Sequence, residues 1–185
     1  MTTACQDRGG PPAGWGRVLS SLHWIVAGLV LVEIVTGRLA EASTNRATGS
    51  DLIRIHYQVG MLVAALVILR ILWRLTHPAP SATPSSAPWQ AVTASAVHAS
   101  LYVLLVVLCV SGFIVWDYFD ADMSVFGLIT VPGIFTPTDD ERLRSATWYV
   151  HAYAGWTIAC LIILHVCAAL WHQLVLRDRI MQRIL

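Results

Sequence analysis

Four apolar stretches, near residues 17–39, 53–76, 91–116 and 146–176, dominate the chain. Each reaches the roughly 20 residues a helix needs to cross about 30 Å of hydrocarbon. Inside lipid the backbone has no water to bond to, so such stretches form helices that pack on one another. The expected fold is therefore all-α, an integral membrane four-helix bundle over residues 17–176, with short tails at 1–16 and 177–185. Composition agrees. With 56% apolar and only 12% charged residues in 185, and a mean hydropathy of +0.63, the chain lacks the charge a soluble domain of this size carries. A net charge of +1 gives no electrostatic footprint for nucleic acid.

The connections set the topology. Residues 1–16 are polar and rich in Gly and Pro, without the apolar run of a signal peptide. Residues 78–88, PAPSATPSSAP, read as an extended linker. Every basic residue is an arginine. Arg8, Arg17, Arg70, Arg74, Arg177, Arg179 and Arg183 flank one side; Arg38, Arg46, Arg54, Arg142 and Arg144, mixed with most of the acids, flank the other. The positive-inside rule places both termini in the cytoplasm and makes 117–145 an outward loop. Its core, VFGLITVPGIF, is too short to span and is expected to lie in the interface. The four cysteines (Cys5, Cys109, Cys160, Cys167) form no C-x-x-C pair, which argues against a disulfide framework, an iron–sulfur or zinc site, or covalent haem attachment. No internal repeat is evident.

Histidines carry the chemistry. His151 and His165 lie fourteen residues apart in the fourth stretch, about 21 Å along a helix and within about 40° of one face. That helix presents one imidazole near each side of the membrane. By depth, His56 matches His151 on the outer side and His23 matches His165 on the cytoplasmic side. Two imidazoles on one haem iron fill both axial positions, which suits electron transfer and leaves no open site for oxygen. The pattern predicts a bundle enclosing two b-type haems. Gly60 and Gly155 each follow an outer-side histidine by four residues and leave room on the same helix face for a flat porphyrin. Plain interhelical hydrogen bonding is the simpler reading of any one such histidine, and a proton relay is another.

Depth alone does not choose a partner for His165, because His98 opens the third stretch at the level of His23. His172 lies seven residues beyond His165 on nearly the same face. His98 and His172 are the candidates for a quinone site, which needs apolar walls and a few hydrogen-bonding groups; propionate contacts or a plain place in the interface are the alternatives.

These features resemble the bacterial cytochrome b561 family of four-helix di-haem membrane proteins. The resemblance rests on His23-Trp24, His56, His98, the FGL…P stretch of the outer loop and the His151/His165 pair, and runs from about Arg17 to Trp171. It implies axial pairs His23–His165 (inner haem) and His56–His151 (outer haem), with His98 and His172 free. Some members are superoxide oxidases that pass electrons from periplasmic superoxide to ubiquinone, so it also implies an oxidoreductase of the bacterial inner membrane. Arg54, Arg142 and Arg144 would then steer the superoxide anion, or simply serve topology and lipid headgroups. The similarity extends to cytochrome b subunits of membrane hydrogenases and formate dehydrogenases, for which the chain would be an anchor and electron conduit bound to a redox partner protein.

Overall fold

A computed structural model of the chain describes residues 16–77, 88–118, 123–132, 140–177, 181 and 184. The readings of the tail at 1–15, the linker at 78–87, the end of the VFGLITVPGIF stretch beyond Pro132, and Arg179 and Arg183 lie outside these residues.

Four helices make the body: α1 (Arg17–Ala42), α2 (Arg46–Thr76), α3 (Pro88–Asp117) and α4 (Glu141–Trp171), the last running into one π-helical turn, His172–Leu176. All four are long and apolar enough to cross a membrane. α1 packs along α2 and α3 along α4, with α2 meeting α3 between the pairs. The tightest apolar core is the α1–α2 seam, where Val26, Val30, Val63 and Val67 are buried with Leu29, Val59, Leu66 and Cys109 against them. Large apolar side chains such as Val35, Leu72, Val103 and Leu164 face outward, as the outer surface of a lipid-embedded bundle requires.

Two helices begin well before their apolar runs, and side-chain caps are the reason. The Asn45 Oδ1 accepts from the backbone N–H of Ala47 (2.9 Å) and Thr48 (3.2 Å) and starts α2 at Arg46. The Asp140 Oδ1 accepts from Arg142 N (2.9 Å) and Leu143 N (3.4 Å) and starts α4 at Glu141. Caps of this kind contribute about 0.5–2 kcal/mol each. His56 and His151 consequently sit ten residues inside their helices, on fully hydrogen-bonded turns. In the α3–α4 connection, β1 (Met123–Val125) pairs antiparallel with β2 (Ile129–Val131). Phe126 and Gly127 take positive φ at the turn (52° and 70°), the two consecutive left-handed positions of a tight hairpin. The sequence reading gave this segment an interfacial place and no strands.

Candidate functional site

Two histidine clusters form at opposite ends of the bundle. At the first, His56 on α2 faces His151 on α4, with ring centroids 6.0 Å apart and planes at 89°. A neighbouring helix grips each ring from behind. To His56, α1 presents Glu33, Thr36 and Gly37, an i, i+3, i+4 set on one face. The His56 Nδ1–H donates to the Glu33 carbonyl oxygen at 3.1 Å, with Thr36 Oγ1 at 3.5 Å and the Glu33 Oε2 at 3.0 Å. A Cβ on Gly37 would stand 3.1 Å from His56 Cε1. To His151, α3 presents Leu108, Ser111 and Gly112 at the same spacing. Ser111 Oγ lies 3.0 Å from Nδ1, and a Cβ on Gly112 would stand 3.0 Å from Cε1.

These clasps fix which nitrogen is free. The Thr36 hydroxyl donates to Val32 O at 2.8 Å and Ser111 to Val107 O at 2.6 Å, so both hydroxyls accept from the rings. The ring proton then sits on Nδ1 and Nε2 keeps its lone pair. Holding the far nitrogen by hydrogen bonds is how proteins orient histidine ligands. The spacing also suits a metal: imidazole–metal bonds of about 2.0 Å on two sides of one ion put ring centroids about 6 Å apart. His56 and His151 therefore fit a haem iron.

At the other end, His23 (α1), His98 (α3) and His165 (α4) come together. The His98 and His165 ring centroids are 5.3 Å apart, and His23 is within electrostatic reach of both. The Arg70 guanidinium donates to His23 Nδ1 at 3.2 Å and to Tyr102 OH at 2.8 Å. Arginine only donates, so this contact makes Nδ1 an acceptor and puts the ring proton on Nε2. Both neighbours of His165 anticipated from the sequence are present, and the direct ring contact is with His98. His172 opens the π-helical turn, a local geometry frequent at functional sites. Gln173 beside it has a buried Oε1 without a hydrogen-bond partner among the described residues, as does Glu33; each costs about 1–3 kcal/mol if left unsatisfied.

The three arginines proposed for steering are surface groups. Arg54 pairs with Asp51 at 3.0 Å, both side chains more than 60% exposed, and Arg144 pairs with Glu141. Arg142 uses its backbone N–H on the Asp140 cap. Arg38 carries no such sign in the sequence: its guanidinium stacks 4.4 Å over the Trp156 ring, pairs with Glu41 at 2.7 Å, and is within electrostatic reach of His56 and His151. Gly60 and Gly155 open space for side chains of α1, for a Cβ there would lie 3.3 Å from the Glu33 Oε2 and 3.9 Å from the Arg38 Nη2, respectively. The glycines against the imidazoles are Gly37 and Gly112. Their signal was in the sequence, as two hydroxyl–glycine pairs, Thr36-Gly37 and Ser111-Gly112, buried in apolar helices.

The prokaryotic cytochrome b561 family model matches residues 14–185. The chain belongs to this family. It is therefore a multi-pass membrane cytochrome of the b type, an electron-transfer protein. It is 27% identical to cytochrome b561 homolog 2 of Escherichia coli (strain K12) over 94% of this chain and 92% of that one. It is 26% identical to cytochrome b562 of Cereibacter sphaeroides over 93% and 95% of the two chains. It is 27% identical to a protein of Yersinia pestis named probable superoxide oxidase CybB, over 89% and 91%.

Proposed function

We propose that the chain binds two b haems and transfers electrons between superoxide on the periplasmic side of the bacterial inner membrane and ubiquinone, with both termini cytoplasmic. The observation that carries this reading is the pair of opposed clasps at His56 and His151, each holding Nδ1 and leaving Nε2 for iron. His56 and His151 would hold the outer haem, and His23 and His165 the inner one. A haem held between two imidazoles exchanges single electrons and offers no open coordination position.

The chain's own residues complete the chemistry. Two superoxide anions give up one electron each and leave as O2, and one ubiquinone takes two electrons and two protons to become ubiquinol. His98 and His172 supply hydrogen-bonding and proton-carrying groups at the cytoplasmic end, where quinone reduction needs protons. Arg54, Arg142 and Arg144, with Arg38 closer to the ligands, favour approach of a small anion at the outer end. The resemblance to a protein named as a superoxide oxidase favours this donor over a docked dehydrogenase.

The test is an optical spectrum of the purified protein with a haem-to-protein ratio, then a pulse of superoxide with and without ubiquinone. Two b haems per chain that reduce on the pulse and reoxidise with quinone are expected. Two haems that ignore superoxide would move the donor to a partner protein, and no haem would overturn the reading.

A further inference from the structure

The clasps on His56 and His151 share a hydroxyl and a glycine, and differ at the first position of each set. Where α3 has Leu108, α1 has Glu33, a carboxyl group inside a membrane-spanning helix with its Oε2 3.0 Å from His56 Nδ1. We infer that Glu33 makes His56 the stronger electron donor of the two ligands and thereby lowers the reduction potential of the haem that His56 and His151 hold. This rests on the proposed reading of those histidines as ligands of one iron.

A histidine bound to iron through Nε2 keeps its proton on Nδ1. An acidic oxygen beside that proton stabilises positive charge on the ring and raises its basicity toward the metal. Oxidised iron draws more density from the ring than reduced iron, so it gains more from the contact. The Glu33 carbonyl and Thr36 hydroxyl already orient His56, as the Ser111 hydroxyl orients His151. The carboxyl group is therefore surplus to orientation.

The fold makes room for it. Gly60 is one turn beyond His56 on α2, and a Cβ there would stand 3.3 Å from the Glu33 Oε2. Among the described residues the other carboxyl oxygen, Oε1, is buried without a hydrogen-bond partner, so no hydrogen-bond network there accounts for an acid at this depth. Glu33 acts through His56 and is a positioning residue.

The experiment is an optical redox titration of the purified full-length protein, wild type against Glu33→Gln, with electron paramagnetic resonance of the oxidised haems. Glutamine keeps the size and an amide oxygen and removes the acid. The expected result is a shift of about tenfold in one haem's reduction equilibrium toward the reduced form, about 59 mV for one electron. The other haem stays fixed, and only the first haem's g-values move. Two bound haems with both midpoints unchanged would overturn the inference. Failure of the underlying reading looks different, with no haem lost in His56→Ala or His151→Ala. If Glu33→Gln does not accumulate, Glu33→Asp, which withdraws the acid by one methylene, carries the same test. A rise at the same haem supports the inference and an unchanged midpoint overturns it.

Discussion

Replacing Gly112 with alanine tests whether the packing of α3 on α4 holds a metal ligand in place. The new Cβ would stand 3.0 Å from His151 Cε1 and 3.4 Å from Nδ1. Ordinary carbon–carbon contact is about 3.5–4.0 Å, so the ring has to retreat by about 0.5 Å. Coordination distances hold to within about 0.2 Å, so that retreat exceeds what an iron–imidazole bond tolerates. The ring has no easy escape, because Ser111 fixes Nδ1 at 3.0 Å from the same turn of α3. Folding should survive the change. Alanine is favoured over glycine in a helix by about 1 kcal/mol, which offsets part of the roughly 1–3 kcal/mol that overpacking costs. The expected outcome is a folded protein with haem content falling from two toward one per chain, measured on purified protein as the haem-to-protein ratio. Gly28→Ala is the control, since a Cβ there meets nothing within 4 Å, and it should keep both haems. Full haem content and an unchanged spectrum in Gly112→Ala would refute the reasoning.

Three further outcomes follow from the same geometry. His151→Ala or His56→Ala should remove one haem and leave the other, read from the same ratio; retention of both haems in each variant would end the proposed pairing. His98→Ala should keep both haems and slow ubiquinone reduction in stopped-flow spectra, whereas loss of a haem would make His98 the partner of His165. Neutralising Arg54, Arg142 and Arg144 together should flatten the salt dependence of superoxide-driven reduction, because steering is screened by ions. The effect should be small, since Arg54 and Arg144 are exposed and already paired with acids; an unchanged slope would leave Arg38 as the cation to test.

The number of helices was legible because lipid removes the alternatives: a run of about 20 apolar residues can only be a helix there. Helix starts were not, because the turns before the apolar runs are polar, and only the caps at Asn45 and Asp140 define them. His56 and His151 were legible from depth and helical phase. The residues behind them were not, because Thr36, Gly37, Ser111 and Gly112 approach from other helices, and sequence spacing relates positions only within one helix. Glu33 had a signal in its cost. An acid in an apolar span faces the interior, but its partner could be named only once α1 lay against α2. Gly60 is expected from the sequence to make room for a porphyrin, and the space beside it goes instead to the Glu33 carboxyl group.

The two ends of the bundle hold their histidines by opposite proton logic. Around His56 and His151 every contact to Nδ1 comes from an oxygen that accepts, so both rings are already in the tautomer that offers Nε2 to a metal. At His23 the contact comes from Arg70, which only donates, and the ring is in the other tautomer. If His23 were to hold a haem through Nε2, as proposed, Arg70 would have to leave Nδ1. The guanidinium has reason to leave, because its hydrogen-bond partners among the described residues, Tyr102 and His23, are an uncharged phenol and an imidazole. A cation inside an apolar span is costly until it meets an anion. A b haem carries two carboxylates, the group a guanidinium binds best. The same movement that frees His23 would thus give Arg70 the counter-charge it lacks, which ties ligand release on α1 to cofactor anchoring on α2.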